Sequence, residues 1–304
     1  MALSTSDLRV ISPLRQRLRP WRRYFLWSFL LFLSACSSTT FFYNRLDFIL
    51  PWYLDRYVDL ERAQSQKLDI QLEALLDWHR REELPRYLDF LDDIAEDLAA
   101  PLSVVQLQNY ADRAEQAWLR IRDPGLEFLL RLGEDLSDEQ IEDFIAVMAK
   151  KQAKYEGKYL DRDDKEMRED VFEGLEETLE DYLGRLDKPQ RERLRTATED
   201  LLRSDTVWLQ ERSAWTAELA QALERKPGWQ QRVTRIVYDW EADLDPEVEA
   251  LYDHNTTVVR AAIVDVLNSR SENQGVRLYK KIDGFRDDLN LLISQGQSQL
   301  AAKP

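Results

Sequence analysis

Apolar side chains recur along this chain at intervals of three and four residues, and no segment sustains the alternation of a half-buried strand. Val248, Leu251, Tyr252, Val258, Val259, Ala262, Ile263, Val266 and Leu267 form one such stripe, and Phe172, Leu175, Leu179, Tyr182, Leu183 and Leu186 form another. That spacing puts the side chains on one face of an α-helix. The composition agrees: 47 Leu stand against 26 Val and Ile, and the 304 residues hold nine Gly and ten Pro. Straight-chain residues favour helix, and so few turn-formers leave little material for hairpins. The expected fold is all-α, an irregular multi-helix bundle of about ten helices.

Prolines supply the punctuation. Pro85, Pro101, Pro124-Gly125, Pro189, Pro227-Gly228 and Pro246 fall at or near the breaks in the pattern. Read with the usual stop signals, the pattern predicts helices over 60–84, 86–99, 103–121, 137–160, 164–186, 188–203, 206–225, 229–244, 247–270 and 276–294. An earlier helical stretch carries Leu46, Ile49, Leu50, Tyr53, Leu54 and Tyr57 on one face, and Pro51 is expected to kink or start it. Leu102-Ser103-Val104-Val105-Gln106, Leu136-Ser137-Asp138-Glu139-Gln140 and Leu186-Asp187-Lys188-Pro189-Gln190 share one form, with a looser copy at Leu60–Gln64. Each places a cap residue three before Gln, which is a capping box. The form is also similar to the Leu-Thr-x-x-Gln motif of small helical periplasmic chaperones.

The amino-terminal residues read as an address. Residues 1–35 hold six Arg and one acid, then the apolar run from Tyr24 to Leu33. Ten helical residues span ~15 Å, half of a ~30 Å hydrocarbon core, so the run suits a cleaved signal better than a membrane span. Leu33-Ser34-Ala35-Cys36 resembles the lipobox of bacterial lipoproteins. The resemblance implies cleavage before Cys36 and acylation of its thiol. With Ser37 behind it, it implies anchoring to the outer membrane, the periplasmic face being favoured. The expected organisation is a signal peptide over 1–35, a lipid-anchored tether over 36–40 and a helical domain over 41–304. Two packed halves of that domain would divide near 186–205.

Charge and residue counts exclude several functions. Removal of residues 1–35 takes the net charge from −15 to −20, which repels nucleic acid and anionic lipid. Membrane association must then come from acyl chains and apolar contact. A single Cys and two His leave no disulfide framework and no thiolate or imidazole-rich metal site. Leu76 and Leu251 stand where a di-iron Glu-x-x-His would need Glu. Lys165 and Glu166 break the resemblance of Asp161–Glu166 to a calcium loop. Nucleotide-binding and nucleophile-elbow motifs are missing, and Ser271-Glu272 reverses the order found in lytic transglycosylases. No metal, no cofactor and no enzymatic activity is expected. The acidic run Glu169, Glu173, Glu176, Glu177 and Glu180 reads as a solvated ridge.

Two clusters remain. Trp78, His79, Glu82, Glu83 and Tyr87 lie around Pro85 on one helical stretch, with His79 turned toward the core beside Leu72, Leu75 and Leu76. Glu82 and Glu83 are within reach of the imidazole. The pairing is expected to fix how two helices meet; the alternative is an acid–base pair of an envelope hydrolase acting on cell wall or lipid. His254 would join a metal site only by meeting His79 in space. Phe41, Phe42, Phe48 and Trp52 are candidates for membrane or partner contact. Packing under a later helix is the expectation for Phe48 and Trp52, and a lipid-facing aromatic surface is the alternative.

Taken together, the lipobox, Trp78–Tyr87, Leu183-Gly184-Arg185-Leu186 with Gln190, and Trp208-Leu209-Gln210-Glu211-Arg212 resemble an uncharacterised family of Gram-negative lipoproteins, a domain of unknown function. The resemblance implies an envelope location and a helical fold, and no catalytic residue. The function expected is a lipid-anchored scaffold, interaction or chaperone-like module with an envelope protein as partner.

Overall fold

The computed structural model describes residues 38–239 and 245–302, and the lipobox Cys36 lies outside them. These residues form eleven helices and no strand. In chain order they are α1 (Ser38–Tyr43), α2 (Leu46–Leu54), α3 (Arg62–Asp97), α4 (Val104–Asp135), α5 (Asp138–Tyr159), α6 (Asp164–Leu183), α7 (Lys188–Glu199), α8 (Asp205–Ala222), α9 (Trp229–Asp239), α10 (Pro246–Asn268) and α11 (Glu272–Ala302). The all-α bundle is as expected. The part of the tether that is described, Ser38–Thr40, is already helical.

Two proline boundaries are corrected. The helices expected over 60–84 and 86–99 are one helix, α3, which runs through Pro85. Likewise α4 continues through Pro124 and Gly125 to Asp135 instead of stopping at Ile121. A proline inside a helix costs ~3 kcal/mol through its missing N–H and its clash with the preceding turn. Leu84, Phe90 and Leu91 are buried on either side of Pro85, and each such side chain contributes ~1.5–3 kcal/mol. Burial therefore outweighs the break. In α4, Leu107 and Tyr110 before Pro124 and Leu126 and Leu132 after it do the same. Pro51 likewise lies inside α2.

The larger core is built on α3 and α11. Leu278, Ile282, Phe285, Leu289 and Leu292 of α11 are buried at alternating steps of four and three, the spacing of a helix–helix seam. The two helices run antiparallel: Tyr279 meets the Ala95 carbonyl, Arg286 pairs with Asp92, and Gly296 lies against the stem of Arg80. A Cβ at Gly296 would come within 2.6 Å of Arg80 Cδ, so a side chain there would force the Arg80 stem to move. Phe172, Leu175 and Leu183 of α6, Leu194 of α7 and Val266 of α10 complete the cluster. A smaller cluster joins Leu126 of α4, Leu219 and Ala222 of α8, and Trp229 and Val233 of α9. Segment 186–205, read as a dividing line, enters the larger core through Leu186 and Leu194.

The helix amino termini are closed by capping boxes at Glu61, Ser103, Ser137, Asp163 and Asp187, including the four read from the sequence. Ser271 and Gln274 form a further reciprocal pair that starts α11 four residues before the expected Val276. The Gln side chains do more than cap. Gln64 and Gln140 exchange amide hydrogen bonds at 2.9 and 2.8 Å, and Gln190 and Gln274 do so at 3.0 and 2.9 Å. Each also donates toward a carbonyl two residues before its partner's cap: Gln64 to Asp135, Gln140 to Asp59, Gln190 to Ser269 and Gln274 to Arg185. The starts of α3 and α5, and those of α7 and α11, are thereby clamped together in the same way.

The acidic ridge of α6 is partly neutralised. Glu169 pairs with Arg195, Glu176 with Arg191, and Glu180 accepts the Leu186 backbone N–H.

Gln190 has no exposure, so its truncation removes two buried hydrogen bonds from the Gln274 amide. Gln190→Ala is expected to lower stability by ~1–3 kcal/mol in urea unfolding. Gln106→Ala, at a box with no such partner amide, should cost less, and Gln190→Ala with Gln274→Ala should cost less than the two singles together.

Candidate functional site

The Trp78–Tyr87 stretch occupies the middle of α3, where its side chains meet α1 and α4. His79, Glu83 and Tyr87 are four residues apart in turn and share one helix face. The carboxylates do not hold the imidazole as expected. Instead Tyr43 of α1 lies 2.9 Å from His79 Nδ1, and Tyr87 lies 3.4 Å from Nε2. Glu82 is exposed on another side of the helix. Trp78 packs edge-on to the imidazole at 6.3 Å.

Glu83 has no exposure and is the polar centre of the site. Arg120 of α4 grips both its oxygens: Nε donates to Oε1 at 2.8 Å and Nη2 to Oε2 at 2.8 Å. Arg86 adds a bond to Oε1 at 3.0 Å. Tyr87 donates its hydroxyl to the same carboxylate. Two guanidinium groups and a phenol are what a buried carboxylate needs to offset its lost hydration. The hydrogen bond to Glu83 raises the Arg120 guanidinium further above its ordinary range.

A neutral imidazole donates from one nitrogen and accepts at the other. The tautomer with its proton on Nε2 would donate to the Tyr87 oxygen and leave Nδ1 to accept from the Tyr43 hydroxyl. Burial keeps the ring neutral, lowering its pKa to about 4; the Glu83 charge opposes that shift and Arg80 adds to it. Burial also pushes Tyr43 up to about 12, and pushes Tyr87 up, with the Glu83 charge acting in the same direction. A neutral imidazole with a phenol on each nitrogen is suited to joining helices, and has no nitrogen free to take a proton from a third molecule. The result is a latch: Tyr43–His79 ties α1 to α3, and Glu83–Arg120 ties α3 to α4.

Two more contacts seat the start of the chain on α11. Thr40 donates to Asp288 at 2.8 Å, and Asn44 donates to Gln295 at 3.0 Å while accepting from Arg80 at 2.9 Å. Sequence reading missed Tyr43, Asn44 and Arg120. Nothing local marks them, since their partners lie 36, 251 and 37 residues away.

His254 does not join His79; it bonds the Asp200 carbonyl at 2.8 Å from α10. Among the described residues, no group of three or more His, Cys, Asp or Glu could hold a metal ion. A cleft of about 1040 Å³ lies elsewhere, between the 98–101 loop and α11, lined by Pro101, Arg270, Tyr279 and Asp287 among others.

Phe48 and Trp52 correct the expectation of burial. They are 69% and 51% exposed, and Phe41 and Phe42 are 53% and 55% exposed. No residue of α2 is fully buried. The helix is short and rests on α3 by its other face, so among the described residues nothing covers its aromatic side. Arg45 lies 4.6 Å from the Phe41 ring and Arg56 3.9 Å from the Trp52 ring. Among the described residues, no helix is long and apolar enough to cross a membrane.

A family model described as a family of unknown function, DUF6279, matches residues 56–248. No curated protein and no solved structure matches the chain.

Two outcomes test the latch. Glu83→Ala leaves the Arg120 charge without its partner and should cost about 3 kcal/mol, the low end for a broken buried pair because Arg120 can rehydrate. For His79, the folded pKa lies below the ordinary 6.5. The unfolded chain therefore binds the proton first as pH falls. The contribution of His79 is complete above pH 6.5 and is lost as pH falls toward 4. Denaturation midpoints of His79→Gln should consequently drop less between those pH values than those of the unaltered protein.

Proposed function

For a chain that belongs to DUF6279, a family of unknown function, we propose a role as a lipid-anchored interaction protein. It is a helical scaffold or chaperone-like module, held by Cys36 at the periplasmic face of the outer membrane. The observation that carries this reading is the exposed aromatic side of α1 and α2. Phe41, Phe42, Phe48 and Trp52 are all more than half exposed, and they begin five residues after the lipobox cysteine. Leaving four such side chains in water forgoes on the order of 6 kcal/mol of burial. Large apolar side chains left exposed on two successive helices suit contact with a membrane or a partner. Rings with a cation or polar edge suit the lipid interface.

The position of the surface agrees with an anchor at Cys36. One residue, Ser37, separates that thiol from Ser38, so the acyl chains would leave the protein within ~7 Å of α1. The latch then has a purpose. It holds the lipid-proximal helix rigidly on the body, so that the bundle stands in a fixed orientation on the bilayer. The hydrolase alternative draws no support from the site, because tyrosines occupy both nitrogens of His79 and arginines hold Glu83.

Mass spectrometry of the protein from membranes should find an amino-terminal peptide that begins at Cys36 and carries acyl chains. Cys36→Ser should abolish that modification and the processing before it. An unmodified thiol behind an uncleaved leader would overturn the anchor.

A further inference from the structure

The chain is acidic overall, yet α5 carries Lys150, Lys151, Lys154 and Lys158 within nine residues. The fold brings two further cations to this stretch, Arg56 from just beyond α2 and Arg212 from α8; both act on Lys151, as does Lys154. Tyrosines form the walls. Lys151 Nζ lies 3.4 Å from the Tyr57 ring centroid and 5.9 Å from that of Tyr53, and Arg212 lies 4.9 Å from the Tyr155 ring. Tyr53 and Tyr57 share a hydroxyl–hydroxyl bond of 2.9 Å, which leaves one of their two protons free to donate.

Among the described residues, none of Arg56, Lys151, Lys154 and Arg212 has a carboxylate within ion-pairing distance. The nearby acids are engaged: Glu156 accepts from Gln152 at 2.8 Å, and Glu211 accepts from Tyr252 at 3.0 Å. Burial holds the Lys151 ammonium below the usual lysine range, and Arg212, Arg56 and Lys154 push it further down. Burial likewise lowers Arg212. A bound anion would relieve this mutual repulsion.

We propose that Arg56, Lys151, Lys154 and Arg212, with the hydroxyls of Tyr53, Tyr57 and Tyr155, bind the phosphate of anionic lipid headgroups. The choice of lipid rests on continuity with the aromatic side of α2. Arg56 stacks on Trp52 at 3.9 Å, and Trp52 and Phe48 stand exposed beside it. A dissolved anion would need the cations alone; a bilayer supplies the phosphate and an apolar layer for the rings. The site deepens the membrane-anchored reading and depends on it. It also means that net charge is a poor guide to how this protein meets a membrane.

The test is lysine footprinting by mass spectrometry on the full chain reconstituted in vesicles. One set is phosphatidylcholine, a second is equimolar phosphatidylcholine and phosphatidylglycerol, and a third is phosphatidylcholine with added inorganic phosphate. Acetylation of Lys151 and Lys154 should slow about fivefold in the phosphatidylglycerol set, the effect of one cation held at an anionic surface. Lys188 and Lys226 should keep their rates. Arg212→Ala should remove most of the protection, and Lys154→Ala, at an exposed position, should weaken that of Lys151 if the first variant loses helicity. Equal rates in the first two sets, equal protection of every lysine, or full protection by inorganic phosphate would each overturn the proposal. The mass of the peptide holding Cys36, read in the same digest, reports separately whether the anchor exists.

Discussion

The antiparallel seam between α3 and α11 is the contact on which the other elements depend. Its apolar rows, Leu84, Leu88, Leu91 and Ala95 on one helix and Leu278, Ile282, Phe285, Leu289 and Leu292 on the other, are buried or partly buried by steps of three and four. Such spacing keeps two long helices in contact over many turns. Because α3 is continuous, a single helix carries Gln64 at its start, the Glu83 site at its middle and Leu91 toward its end. A real break at Pro85 would separate Glu83 from Tyr87 and undo the alignment that joins α1, α3 and α4. The proline is tolerated because the rows on both sides of it are already committed to α11.

This explains what could be read from the sequence and what could not. Apolar periodicity identifies most helices because each apolar stripe is a local property. It fails at Pro85 and Pro124, where a local penalty of ~3 kcal/mol competes with burial supplied by distant helices. Capping boxes were legible for the same local reason. The mutual pairing of their glutamines was not, since Gln64 and Gln140, or Gln190 and Gln274, meet across 76 and 84 residues. Within the site, the burial of His79 followed from its face of the helix. Its partners did not, because Glu82 and Glu83 are near in sequence while Tyr43 comes from another helix. Proximity along the chain suggested a carboxylate; packing supplied a phenol, and Arg120 took the carboxylate instead.

Charge shows the same difference between average and place. Counting residues gives a strongly negative chain, and that count governs long-range encounters, where the whole protein acts as one body. At contact distance the Debye length of ~8 Å makes only the nearest groups matter. There Lys151 meets Arg56, Lys154 and Arg212 among tyrosines, and the acids that dominate the total are elsewhere or already bonded. Repulsion at a distance and attraction at contact are compatible only if something else brings the protein to the surface. The proposed acyl anchor would do this, and with it the basic patch and the lipobox would make physical sense together.

The same reasoning assigns a role to the latch. An anchor on a loose segment would hold the bundle near the bilayer and leave its orientation free. Here α1 is tied to His79 and Asp288, and Asn44 just after it to Gln295, on both helices of the central seam. Fixing α1 fixes α2, and α2 carries both the exposed rings and the approach to Lys151. A neutral histidine serves this better than a charged one: a neutral ring keeps an acceptor nitrogen for a phenol hydroxyl, and an imidazolium would keep none. The depressed basicity of His79 thus comes from its burial as a fastener between α1 and the body.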